Sequence, residues 1–304
     1  MRKSYFNMKN KILIFCCLLF LQACLAKNLQ FSYKKKITPG QWLRHLKIEF
    51  SDKDQTASTQ VQIFFPKNYL KGKKFRTLIA LHPYNGSLTD WEKYTPIESY
   101  ANQHDFVLVC PEMGKTVYET KFYPETIEKW NSIPGGVFVG EILIKYLQKN
   151  FALAADREST GIFGVSTGAR GAILIASVYN DVFGAVAGLS GNYDSLATTH
   201  SKLLTDVYGE YKDFKERWQK KDNIMLLAEN LEETSLFLWH GKKDYIASNK
   251  QTILLVMKLR LFQKKEGEGY DFQYFEHKRA SYGWPYWKEV VPEMMTFFEE
   301  KLKE

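Results

Sequence analysis

Thr160-Gly161-Ile162-Phe163-Gly164-Val165-Ser166-Thr167-Gly168-Ala169-Arg170-Gly171-Ala172 is the stretch that decides the fold of this 304-residue chain. An apolar run, Thr160 to Phe163, leads into the pentapeptide Gly164 to Gly168, and a second apolar run, Ala172 to Val178, follows it. The order is strand, tight turn, helix. A serine at the centre of such a turn is held in a strained backbone pose, which is the arrangement of a nucleophile elbow. The two glycines are needed because the turn leaves no room for side chains near the serine. The helix that begins there offers an N–H and the positive end of its dipole to a developing oxyanion. Alone, the pentapeptide also fits a glycine-rich strand-to-helix turn without chemistry, so its surroundings must choose.

Outward from Ser166 the pattern alternates. Strand-like runs occupy Leu43–Phe50, Gln60–Phe65, Thr77–Leu81, Phe106–Cys110, Thr160–Val165, Ala185–Leu189, Leu236–Trp239 and Asp271–Phe275. Helical patterns lie between the later ones. Gly136–Gln148 places Val139, Leu143 and Leu147 on one face, and Gln251–Phe262 turns Leu255 and Leu259 inward, with Leu254, Lys258 and Phe262 to one side. A last helix starts near Trp287 and runs to Lys303. Strands alternating with helices predict an α/β fold: a mainly parallel eight-stranded sheet with helices on both faces. The first two strands follow each other without a helix and should form an antiparallel edge. Residues 195–234 interrupt the alternation with two polar helical stretches, Asp213–Lys221 and Asn223–Leu231, and read as a small helical cap insertion within a single domain, residues 41–304.

The first 24 residues stand apart. Arg2, Lys3, Lys9 and Lys11 make a basic leader, and Ile12 to Leu21 is an apolar run too short to span a bilayer. It ends in Leu21-Gln22-Ala23-Cys24, which resembles a bacterial lipobox with Cys24 as the lipidated residue. Gln22 is unusual there, so secretion after cleavage near Ala26 stays open, as does an uncleaved anchor. The expectation is an exported envelope lipoprotein, held to the membrane through Cys24 by a polar tether, residues 25–40. The net charge is +8, and Arg2, Lys3, Lys9 and Lys11 supply four of those charges, so the chain without residues 1–23 carries +4. Lys34 to Lys36 and Lys71, Lys73 and Lys74 read as solvated charge, and no basic motif interleaved with aromatics points to nucleic acid. Cys16 and Cys17 leave with the leader, Cys24 would carry lipid, and Cys110 remains alone in an apolar run, a buried thiol with no disulfide partner.

Downstream of Ser166, Trp239-His240-Gly241-Lys242-Lys243-Asp244 ends an apolar strand. Asp244 therefore sits at a strand C-terminus, where ligand-facing residues collect in open α/β sheets. Upstream, Leu81-His82-Pro83-Tyr84-Asn85-Gly86-Ser87 follows another strand end. Pro83 has no N–H to give, so Tyr84 is the better second oxyanion donor beside Thr167. His82 precedes the serine and reads as a structural loop histidine.

These segments together resemble the esterase branch of the α/β-hydrolases, which includes S-formylglutathione hydrolases, feruloyl and acetylxylan esterases and mycolyltransferases. The resemblance rests on Gly161 to Ala172, Asp181-Val182-Phe183-Gly184-Ala185 and Leu189-Ser190-Gly191. It is extended by the oxyanion loop from Leu81 to Ser87 with Asp90-Trp91, the acid segment His240 to Asp244, and the tail Trp284 to Trp287, so that it covers roughly residues 45–300. It implies a serine hydrolase acting on a small-molecule or polymer-linked carboxylic ester, without metal or cofactor. Ser166 would be the nucleophile, Asp244 the acid, and Thr167 and Tyr84 the oxyanion donors.

The chain departs from that pattern where the catalytic histidine belongs. The family reads Gly-Gly-His-x-Trp-x-Tyr-Trp; this sequence reads Ala280-Ser281-Tyr282-Gly283-Trp284-Pro285-Tyr286-Trp287. Ungapped, Tyr282 takes the place of the histidine. The one histidine after Asp244 is His277. Either His277 serves as the base in an acyl-enzyme mechanism, or the site is catalytically degenerate and the fold has a binding role. A smaller departure is Ala169-Arg170, where the family often has Gly-Gly.

Overall fold

The structure, a computed structural model, describes residues 36–52, 55–123, 134–220, 222–266 and 270–303. The leader, the lipobox with Cys24 and tether residues 25–35 lie outside the described residues. Eight strands form one sheet: β1 (Gln41–Asp52), β2 (Gln55–Phe65), β3 (Thr77–Leu81), β4 (Val107–Pro111), β5 (Thr160–Val165), β6 (Ala185–Leu189), β7 (Ser235–Gly241) and β8 (Phe272–His277), in the order β1-β2-β4-β3-β5-β6-β7-β8. β1 pairs antiparallel with β2, and β2 antiparallel with β4; every other pairing is parallel. The helices that position the site are α1 (Asp90–Tyr94), α2 (Ile97–Gln103), α3 (Ile144–Phe151), α4 (Thr167–Val178), α5 (Lys202–Tyr208), α6 (Lys215–Lys220), α7 (Ile224–Leu227), α8 (Asn249–Glu266) and α9 (Trp284–Lys301).

The central strands are buried on both faces and alternate between two cores, as the two-residue period of a strand demands. Ile79, Ile162, Val186 and Leu238 pack with α3, α4 and α8 on one side, whereas Leu78, Ala80, Phe163, Val165, Ala187 and Phe237 pack with α2 and α9 on the other. On α8, Leu255 and Leu259 are fully buried and Leu254 is exposed, matching the helical pattern. Cys110 is a buried free thiol, and burial pushes its titration up.

Two segments differ from the sequence expectation. The last helix begins at Trp284 rather than near Trp287: Gly283, at φ +117°, turns the chain into it, and Pro285 sits in its first turn, where a missing N–H costs nothing. The stretch 195–234 is also not one unit. Leu204, Val207, Tyr208 and Trp218 form a small separate cluster with Val117 and Tyr123. Ile224, Ala228 and Leu231 instead join the main core, so α7 and the turn after it serve as the crossover between β6 and β7.

Candidate active site

The site is built at the C-terminal ends of β3, β5, β6 and β7. At the end of β5, Ser166 has φ 56° and ψ −121°, a conformation that costs an ordinary residue about 1–3 kcal/mol. The surroundings hold it there. Its N–H donates to the Leu189 carbonyl at 2.9 Å, and its carbonyl accepts from the Arg170 N–H at 3.0 Å. Both elbow glycines are sterically required. A Cβ on Gly164 would lie 2.3 Å from the Gly168 carbonyl carbon, and one on Gly168 would lie 2.7 Å from the Leu81 and His82 carbonyl oxygens.

The oxyanion loop is pinned from below. His82 is buried; its Nδ1–H donates to the Pro83 carbonyl at 2.7 Å and its Nε2 accepts the Met113 N–H at 2.9 Å. That bonding uses up a neutral imidazole, and burial lowers its pKa, so His82 is a structural residue. Tyr118 donates its hydroxyl to the His82 carbonyl at 2.9 Å. The loop brings Tyr84 into the wall of a cavity of about 330 Å³ that also contains Ser166, Thr167, Arg170 and Tyr282. Thr167 opens α4, where a first-turn N–H has no helical acceptor, and its buried Oγ1 has no hydrogen-bond partner. Ser190 and Asn192 after β6, and Ile246 and Ala247 after β7, line the same cavity. None of these four is a site residue by sequence pattern, Ser190 entering only through the Leu189 to Gly191 resemblance; their signal was position, just past strand C-termini.

Asp244 is buried in the turn after β7. Its Oδ1 accepts the N–H groups of Ile246 and Ala247 at 3.0 and 2.8 Å. Its Oδ2 is buried without a hydrogen-bond partner among the described residues. His240 Nε2 comes within 3.3 Å of that oxygen, but its hydrogen goes to the Ala247 carbonyl at 2.6 Å, so the approach is not a hydrogen bond. The other ring nitrogen, Nδ1, meets Thr252 Oγ1 at 2.7 Å.

His277 is not brought to Ser166, which corrects its expected place in the site. It ends β8 with an exposed side chain, and its Nδ1 accepts the Ala280 N–H at 3.0 Å, closing the turn that follows. The group on Ser166 is Tyr282, whose hydroxyl donates to Ser166 Oγ at 2.6 Å. Tyr282 packs edge-on against Trp287, with ring centroids 4.8 Å apart, and Trp287 donates Nε1–H to Ser190 Oγ at 3.1 Å. Burial raises the Tyr282 pKa above its ordinary 10; the Ser166 hydrogen bond opposes this and the Asp244 charge adds to it. Tyr282 is therefore a neutral phenol near pH 7, a proton donor toward Ser166 and no acceptor of its proton.

The profile of the family described as "Putative esterase" matches residues 55–298. The chain belongs to this esterase family. An acetyl esterase of Caldicellulosiruptor saccharolyticus is 24% identical over 81% of this chain and 94% of its own length. Two solved structures share the α/β-hydrolase fold. A fluorophosphonate-binding serine hydrolase of Staphylococcus aureus superposes with a TM-score of 0.66 at 17% identity, over 86% of this chain and 99% of that one. The S-formylglutathione hydrolase of the same organism superposes with a TM-score of 0.64 at 18% identity, over 85% and 99%. In this member of the esterase family the Tyr282 hydroxyl lies against the serine of the strand-to-helix turn.

Proposed function

We propose that this esterase-family protein binds a carboxylic ester or acyl group in the Ser166 cavity and turns it over slowly at best, because Tyr282 occupies the space of the general base. The observation that carries this reading is the 2.6 Å hydrogen bond from Tyr282 to Ser166 Oγ. A serine is a weak nucleophile unless a base takes its proton as it attacks. Removing the base alone costs about 10⁶ in kcat in a well-studied serine protease. A phenol whose pKa is raised cannot replace it. The unpartnered Asp244 Oδ2 is consistent with an acid whose imidazole is gone. What remains suits binding: Thr167 and Tyr84 line the cavity beside Ser166, and Ser166 and Tyr282 offer hydrogen bonds to a ligand. We place the protein outside the cytoplasm, tethered through Cys24, on the basic leader and the Leu21 to Cys24 motif.

The strained Ser166 backbone favours a second reading, a serine carboxylesterase that forms an acyl-enzyme at Ser166, since that strain persists without evident use in a binding site. A fluorophosphonate probe separates the two. Wild-type protein should take no label at Ser166 while an active serine hydrolase in the same buffer does. Tyr282→His, which restores an imidazole between Ser166 and Asp244, should take label and gain at least about 10²-fold in ester hydrolysis. Rapid labelling of the wild type would overturn the binding reading in favour of the second.

A further inference from the structure

Arg170 puts a cation into the wall of the Ser166 cavity. It lies one helical turn beyond Ser166 on α4, lines the cavity, and is only 3% exposed. One of its terminal nitrogens donates to the Val117 carbonyl at 2.7 Å; the other donates to the Tyr208 hydroxyl and the Asp222 carbonyl, each at 3.1 Å. All three acceptors are neutral. A guanidinium has five N–H groups, so two are left without a partner among the described residues.

The neighbouring acids do not form an ion pair with it. The Asp222 carboxylate is occupied: Oδ2 accepts the Thr120 N–H and the Tyr208 hydroxyl, each at 2.9 Å, and Oδ1 accepts the Thr120 hydroxyl. Glu119 is buried, one of its carboxylate oxygens has no hydrogen-bond partner among the described residues, and burial, helped by the Asp222 charge and only partly opposed by the Arg170 charge, pushes its pKa up to about 7. Near neutrality this acid is only partly ionised. A buried guanidinium held mainly by neutral acceptors is poorly compensated, and an anion that enters the cavity would complete it. Asn192 and Ser201 line the same cavity and add polar side chains to it.

We propose that the ligand of the Ser166 cavity carries a carboxylate in addition to its ester, and that Arg170 binds this carboxylate. The inference rests on the ester-binding reading above. Two kinds of molecule share the required chemistry: a monoester of a dicarboxylic acid, with the charge on the acyl side, and an acylated hydroxy acid, with the charge on the alcohol side.

The test is an NMR titration of the full-length mature protein with two matched pairs. Monomethyl glutarate is compared with dimethyl glutarate, and O-acetylglycolate with its methyl ester. The wild type should bind the anionic member of at least one pair about tenfold more tightly than its neutral partner, and the preference should shrink in high salt. The pair that shows it identifies the side of the ester that carries the charge. Arg170→Gln should reduce the preference to about one while leaving the neutral member's Kd within about twofold, a result that general loosening of the pocket would not give. Should Arg170→Gln fail to fold, Arg170→Lys decides: a retained, salt-sensitive preference supports the assignment, and equal affinities overturn it. Equal wild-type affinities within both pairs overturn the carboxylate inference and leave the ester-binding reading standing. Failure of all four compounds to shift residues around Ser166 removes both.

Discussion

On the reading proposed above, the residue at position 282 sets the chemistry of this site. Histidine can both accept the serine proton near pH 7 and donate to an acid behind it; the Tyr282 phenol donates to Ser166 and, with its pKa raised, does not take up the serine proton near pH 7. On the same reading, the buried Asp244 Oδ2, which has no hydrogen-bond partner among the described residues, is the acceptor such an imidazole would use. A second residue, Glu119, has a consequence for stability. Its folded pKa of about 7 lies above its ordinary 4.5. Below about pH 4.5 both folded and unfolded chains hold the proton, and the burial of Glu119 carries no ionic penalty. Between 4.5 and 7 the unfolded chain releases the proton first, so stability falls as pH rises, and above 7 the full cost of about 3 kcal/mol is present. Glu119→Gln removes that cost. In urea unfolding, the advantage of the variant over wild type should grow from pH 5 to pH 8; an advantage that is flat with pH would mean that Glu119 ionises normally in the fold.

At the scale of elements, the elbow is a close contact between two strand ends. Gly168 of α4 lies against the Leu81 and His82 carbonyls, so the turn that strains Ser166 also sets the height of the oxyanion loop. Gly168→Ala would press a methyl group onto backbone that cannot rotate away. A loss of about 1–3 kcal/mol in denaturant unfolding is expected, as for other overpacked sites; a variant as stable as wild type would show that the loop yields. The elements themselves were largely legible. Thr77–Leu81, Thr160–Val165 and Ala185–Leu189 are short apolar runs bounded by polar residues and turn signals, and they form strands with those limits. The stretch 195–234 was less legible, because Ile224 and Leu231 look like parts of a polar insertion until the sheet behind them is in place. The start of α9 was obscured by Pro285, which reads as a breaker unless the turn at Gly283 is known.

For the whole molecule, the open matters are where it resides and what its cavity admits. The leader, the motif at Cys24 and the polar residues up to Gly40 support a tethered domain that holds its site away from the membrane. Radiolabelled palmitate should enter the wild-type chain in cells and not Cys24→Ser, and the variant should move from the membrane to the soluble fraction. Equal labelling of both would remove the tether.

Local pattern and residue identity were enough for the α/β architecture, the strained turn at Ser166, the carboxylate after β7 at Asp244 and the absence of a histidine at position 282. Only the tertiary structure decided which group faces Ser166. His277 and Tyr282 are five residues apart, and both spacings from Asp244 fit the intervening helix and strand, so chain distance could not choose between them. The turn closed by the Ala280 N–H on His277 holds that ring at the exposed end of β8, while Trp287, anchored to Ser190, seats the Tyr282 ring so that its hydroxyl meets the serine. Arg170 likewise could be seen in the sequence as a departure from pattern, but only folding showed it buried beside the cavity with neutral acceptors, because its surroundings come from segments 38 to 53 residues away in the chain.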